Sequence, residues 1–118
     1  MPNAIKFSGD NRLDRELHLL LGELKTGLEQ IYSDQLKGVY LFGSYARGDQ
    51  DAESDVDIMI ILSRYNQYGE EIDRTGELVS TLSLKYKLTL SRVFIRESDW
   101  QNVQTPLLRN AHEEAIPV

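Results

Sequence analysis

From Arg12 to Tyr32 the apolar positions are Leu13, Leu17, Leu20, Leu21, Leu24, Leu28 and Ile31, separated by four, three, one, three, four and three. That spacing lines one face of a long helix. Arg15, Glu16, Glu23 and Glu29 take the charged side, and Asp10 or Asn11 supplies the cap at its start. Val39 to Phe42 is a short β-branched and aromatic run halted by Gly43, which predicts a buried strand and a sharp turn. Ser44 to Gly48 has room for one helical turn, and the acidic, aperiodic Asp49 to Ser54 predicts a loop. Asp55 to Leu62 alternates and then becomes wholly aliphatic, as the central strand of a sheet does. Ile72, Val79, Leu82 and Tyr86 predict a second amphipathic helix over Glu70 to Tyr86 despite Gly76, and Thr89 to Ile95 predicts a third strand. Thr105 with Pro106 opens a last helix running to about Ala115, because proline at the first helical position gives up an amide that would be unpaired anyway. The fold class predicted is α/β.

Chemistry concentrates after the first strand. Gly43-Ser44-Tyr45-Ala46-Arg47-Gly48 is followed by six loop residues and then Asp55-Val56-Asp57, with ten residues between Ser44 and Asp55. Side chains two apart on a strand share a face, which puts Asp55 and Asp57 together with Cα atoms about 6.5–7 Å apart. Two such carboxylates repel unless a cation lies between them. An all-oxygen pair suits Mg²⁺, a hard ion that keeps several waters and takes its other ligands from substrate phosphates. Gly43 lets backbone approach a phosphate, the amides of the following turn and the Ser44 hydroxyl can donate to its oxygens, and Arg47 adds a fixed positive charge. Asp55 and Asp57 are therefore the candidate catalytic and metal-binding residues, and Gly43, Ser44 and Arg47 the candidate nucleotide-binding ones. A Gly-Ser turn or an Asp-x-Asp strand end is common alone; their strand, turn, loop, strand order carries the assignment.

With 118 residues the chain fits one domain, 1–118, with no room for a separate substrate domain. Thirteen Lys and Arg against nineteen Asp and Glu give a net charge of −6, which disfavours an extended nucleic-acid groove. The absence of cysteine excludes a disulfide framework, a thiolate nucleophile and Cys-ligated zinc. Ile58 to Leu62 is far shorter than the roughly 20 residues of a spanning helix, and Met1 to Asn11 lacks the basic start and apolar middle of a signal peptide. The expectation is a cytoplasmic protein without membrane or direct nucleic-acid partners.

The Gly-Ser turn followed by Asp-x-Asp resembles the nucleotidyltransferase superfamily that includes DNA polymerase β. The length and spacing are similar to the minimal nucleotidyltransferases, antitoxins paired with HEPN-domain toxin ribonucleases. The resemblance is strong over Val39 to Leu62 and weaker over Leu82 to Val118, where the strand, the Trp100 region and Thr105-Pro106-Leu107 with Arg109-Asn110 resemble the tails of such proteins; the amino helix matches only in kind. It implies a small mixed sheet backed by helices, ATP with Mg²⁺, and transfer of AMP to a tyrosine hydroxyl of the partner toxin. The superfamily also places a third carboxylate on a later strand. Thr89 to Ile95 holds no acid; Thr89 and Ser91 take its inward positions, and Glu97 and Asp99 follow the strand. Either two carboxylates suffice, or Glu97 or Asp99 reaches in, or the chain is a weak catalyst. A chain this short has no lid or acceptor domain, which disfavours an aminoglycoside-type transferase. Two further readings are an antitoxin that acts by binding alone and, less favoured, a regulatory nucleotide-binding module. His18 and His112 have no partner at metal spacing and receive no role; Trp100 is expected as a core plug, Tyr40, Tyr65, Tyr68 and Tyr86 as packing or loop residues, and Tyr45 as a neighbour of the nucleotide.

Overall fold

The leucine stripe folds as predicted: helix α1 spans Asn11–Tyr32, and Leu17, Leu20, Leu21, Leu24 and Leu28 are all buried. A computed structural model describes residues 11–102 and 105–118. Of the two candidate caps, Asp10 lies outside the described residues and Asn11 is the first residue of the helix.

A single 3-10 turn, Ser33–Gln35, leads into strand β1, Leu36–Phe42. This strand starts three residues earlier than its β-branched core suggested, because Leu36 and Gly38 pair with Leu62 and Ile61 across an irregularity in register. Helix α2 is the one turn Ser44–Arg47, and strand β2 is Val56–Leu62. Asp55, expected as the first residue of that strand, instead precedes it: the ladder to the next strand begins at Val56, whose amide donates to Thr89 O at 2.8 Å. Helix α3, Tyr68–Tyr86, starts two residues before the predicted boundary, and strand β3 is Leu90–Arg96. Two elements had no sequence signal: helix α4, Glu97–Gln101, and strand β4, Ile116–Pro117. Between them helix α5, Pro106–Glu114, opens as predicted, with Pro106 in its first turn and the Thr105 hydroxyl accepting from Leu108 N at 3.2 Å.

The strand order is β3-β2-β1-β4. β1 runs antiparallel to β2 and β4, and β3 runs parallel to β2, so the sheet is mixed. Parallel pairing across α3 makes β2-α3-β3 a crossover unit. Helices α1 and α3 cover one face, packing on Val39, Leu41, Val56, Ile58, Ile60, Leu62, Leu90 and Phe94. They run antiparallel, since Glu23 meets Lys85 and Tyr86 while Tyr32 meets Glu71. The opposite face carries Met59 and Ile61 under Ala111 of α5 and Trp100 of α4. Burial from both sides explains why β2 is almost unbroken aliphatic sequence. The exception is Asp57, which shares the α4–α5 face with Met59 and Ile61 at the strand's beginning.

Trp100, expected as a core plug, is only partly buried: it packs on this second face, tilted against Tyr40 at 5.0 Å between centroids. His112, given no role from sequence, stacks on Trp100 at 3.8 Å, with Nε2 2.5 Å from the Trp100 carbonyl. That contact explains it as a packing residue. Among the described residues no helix is long and apolar enough to cross a membrane.

Candidate active site

The registers of β1, β2 and β3 align Phe42, Asp57 and Ser91 across the sheet on one face. The chain leaves β1 through Gly43, whose φ of 74° and ψ of −155° lie in a region that is essentially glycine's alone. A Cβ there would sit 2.3 Å from Asp57 Oδ2 and 3.1 Å from Asp57 Cγ. Gly43 therefore does two things: it makes the turn, and it leaves space for the Asp57 carboxylate against the turn's backbone. The Gly43 carbonyl accepts from the amides of Ala46 and Arg47, both at 3.1 Å, which closes the helical turn. The amides of Ser44 and Tyr45 come before the first closed bond, at the end where helical amides lack intrahelical partners. Gly48 ends the turn in the left-handed region at φ 80°.

The following loop is tied to itself. Asp51 accepts from the Glu53 amide at 2.9 Å and from the Ser54 hydroxyl at 3.3 Å, and Ser54 Oγ accepts from the Asp51 amide at 3.0 Å. This stapling delivers Asp55 to the mouth of β2. Burial pushes the Asp57 carboxyl above the usual carboxylate range, the Asp55 charge adds to the rise, and Arg47 opposes it. The two aspartates predicted to act together are thus coupled in space, although only Asp57 belongs to the strand. Desolvation together with a like charge is the condition a cation between them relieves. The oxygen donors and the cradle that a Cβ would fill fit Mg²⁺, with waters and phosphate oxygens completing its shell. Among the described residues no third His, Cys, Asp or Glu joins them in a metal-holding group.

Arg47, predicted as a positive charge for phosphate, is shared between two acids. Its Nε donates to Asp49 Oδ2 at 3.2 Å and its Nη1 to Glu114 Oε2 at 3.4 Å. Sequence reasoning missed both partners. Asp49 lies two positions away and was readable as a neighbour, whereas Glu114 is 67 positions away and carries no local signal. Tyr45, expected beside the nucleotide, is 3% exposed and belongs to the core under α1 and α3. Burial raises its phenol, with Asp51 and Asp55 adding to the rise, so it supports the site from beneath.

The alternatives for a third acid narrow. Ser91 stands beside Asp57, and the pairing runs on to Leu62 beside Arg96, five residues further along. At about 3.3 Å per residue, Arg96 lies roughly 17 Å along the sheet from the level of Asp57, and Glu97 opens helix α4 directly after it. Among the described residues neither Glu97 nor Asp99 joins the aspartates in a metal-holding group, and Asp99 contributes to the raised Tyr65 phenol at the opposite end of the sheet. A polar cleft of about 490 Å³ also lies at that far end, lined by Tyr32, Arg64, Tyr65, Glu71 and Arg74. It shares no residue with the aspartate site.

The profile of the nucleotidyltransferase domain family matches residues 21–116, a stretch that includes the turn, both aspartates and Glu114. The chain belongs to the nucleotidyltransferase family. A relative from Methanocaldococcus jannaschii, MJ0141, named as a proposed protein adenylyltransferase, is 36% identical over 83 residues, covering 70% of this chain and 83% of its own. A structure described as a proposed nucleotidyltransferase from Sulfolobus solfataricus superposes with a TM-score of 0.60 at 17% identity, covering 95% of this chain and 90% of that one. A chain in the crystal structure of a toxin-antitoxin with AMP-PNP superposes at 0.55 with 21% identity, covering 80% and 68%. The nucleotidyltransferase fold, with its small mixed sheet between helices, is thereby shared with proteins of very different sequence. This chain is a nucleotidyltransferase.

Proposed function

We propose that this nucleotidyltransferase moves AMP from ATP, with Mg²⁺, to a tyrosine hydroxyl of a cognate HEPN-domain toxin ribonuclease and so neutralises it. The observation that supports the reading is Gly43 packed against Asp57, which brings the turn proposed for phosphate against the carboxylate proposed for the metal. Relatives named as proposed protein adenylyltransferases support a protein acceptor, and the neighbour described as a toxin-antitoxin with AMP-PNP supports both the nucleotide and the partner.

Asp55 and Asp57 would hold the metal, which when bound stabilises charge on the α-phosphate and aligns attacking and leaving oxygens. The Ser44 hydroxyl and the first amides of α2 donate to phosphate oxygens, and Arg47 supplies a fixed cation. The phenol oxygen of the acceptor attacks the α-phosphorus, the bond to the β-phosphate breaks, pyrophosphate leaves and the phenol proton passes to solvent. A phenol of pKa about 10 is mostly protonated at neutral pH, so alignment carries more of the rate than a base on β3 could, because that strand has no acid on this face.

The same lack of an acid beside Asp57 favours a second reading, an antitoxin that binds its toxin without transfer. Radiolabelled ATP incubated with the purified protein and the product of its neighbouring gene separates the two. Label on the neighbour, with added AMP located by mass spectrometry on a tyrosine, is the expected result. A stable complex without label supports the binder, and neither label nor complex overturns both.

A further inference from the structure

The far end of the chain returns to the site. Helix α5 is anchored by buried Ala111 against Met59 and Ile61, and three residues later Glu114 reaches Arg47. Immediately beyond it, β4 pairs with Tyr40 and Leu41 of β1, and the Val118 amide donates to Val39 O at 2.9 Å. Glu114 is thus pinned on both sides, by a packed helix before it and a paired strand after it.

Arg47, in contrast, is a long side chain on a one-turn helix, 45% exposed, with many rotamers to lose. Asp49 takes its Nε and Glu114 takes its Nη1, while Nη2 makes no hydrogen bond among the described residues. The backbone places Arg47 at the site: its amide donates to the Gly43 carbonyl at 3.1 Å, and Gly43 packs against the Asp57 carboxylate.

We infer that Glu114 is a positioning residue: with Asp49 it clamps Arg47 on the Gly43 turn so that Nη2 is left to donate to a nucleotide phosphate. The inference rests on the nucleotide-binding reading above. Its physical content is preorganisation, since a guanidinium fixed before binding loses less freedom on meeting phosphate. The sign of the effect separates this role from plain electrostatics. Glu114 is an acid near a polyanion site, so removing it as a mere charge would tighten ATP binding, whereas removing it as a clamp loosens binding.

Titration calorimetry with a non-hydrolysable ATP analogue and Mg²⁺ provides the test, with thermal melting alongside to confirm folding. Glu114→Ala should weaken binding by about two- to fivefold, the range expected of an exposed ion pair. Glu114→Gln, which keeps a neutral acceptor, should recover part of the loss. In an Arg47→Gln background neither change at Glu114 should matter, because the clamp has nothing to hold. Equal or tighter binding by Glu114→Ala, or a loss that persists without Arg47, would overturn the inference while leaving the nucleotide site standing. Failure of the unaltered protein to bind the analogue with Mg²⁺ would overturn both.

Discussion

Adding one methyl group at Gly43 would force its Cβ to within 2.3 Å of Asp57 Oδ2, at backbone angles other residues rarely adopt. Gly43→Ala should therefore cost about 1–3 kcal/mol of stability in urea unfolding, and it should lower AMP transfer further, because Asp57 has to move. A variant with unchanged stability and full transfer would show that this contact is not needed. Asp57→Asn and Asp55→Asn each remove a charge from the proposed metal site at nearly constant shape, and both should abolish metal-dependent transfer. Full transfer by either one, assayed with saturating Mg²⁺, would dismiss the metal assignment. At this scale the sequence was informative because glycine, serine and paired aspartates have few reasons to occur together in strand-turn-strand order. Glu114 was not legible, since what makes it matter is a contact made across the fold.

The elements explain which acids count. Parallel pairing of β3 with β2 carries Glu97 and Asp99 to the end of the sheet away from Asp57. Glu97→Gln and Asp99→Asn should then keep transfer rates close to the unaltered protein, whereas a loss as deep as that of Asp57→Asn would require a different register. The α1–α3 seam makes a second claim. Glu71, 5% exposed, accepts from Tyr32 at 2.8 Å and from Arg74 at 3.2 Å. Burial, and then the bonded Glu71, raise the Tyr32 phenol above its ordinary value. A raised phenol contributes stability that is fully present below the unfolded value of about 10 and is lost as pH climbs toward the folded one. Tyr32→Phe should lower stability at neutral pH by about 1–3 kcal/mol, the cost of depriving a buried group of a partner. It should also flatten the decline above pH ~10, only in part because Tyr45, Tyr65 and Tyr86 are raised too. An unaltered alkaline slope would refute the coupling. Long periodic elements such as α1 and β2 were legible from spacing alone. The five residues of α4 and the two of β4 were not, because neither is long enough to show a period, and β4 exists only through its pairing with β1.

The chain as a whole carries a net charge of −6, and the site does not escape it. Asp49, Asp51, Asp55, Asp57 and Glu114 all gather around the turn and loop between β1 and β2, and Arg47 is already divided between two of them. A polyanionic nucleotide entering this neighbourhood is repelled unless something neutralises the aspartates. One unit-charge pair 4 Å apart near a protein surface is worth about 4 kcal/mol, more than enough to decide binding. ATP should therefore bind at least about tenfold more weakly with a chelator than with Mg²⁺, a difference of only ~1.4 kcal/mol on that scale. The salt dependence gives a sharper criterion. Ordinary attraction between a nucleotide and a basic pocket fades as salt screens it, whereas residual metal-free binding here should strengthen between low and moderate salt because screening relieves repulsion. Calorimetric titrations at two salt concentrations, each with and without chelator, measure both effects. Chelator-independent affinity that falls with salt would mean that basic groups and not the aspartate pair with its cation govern nucleotide binding.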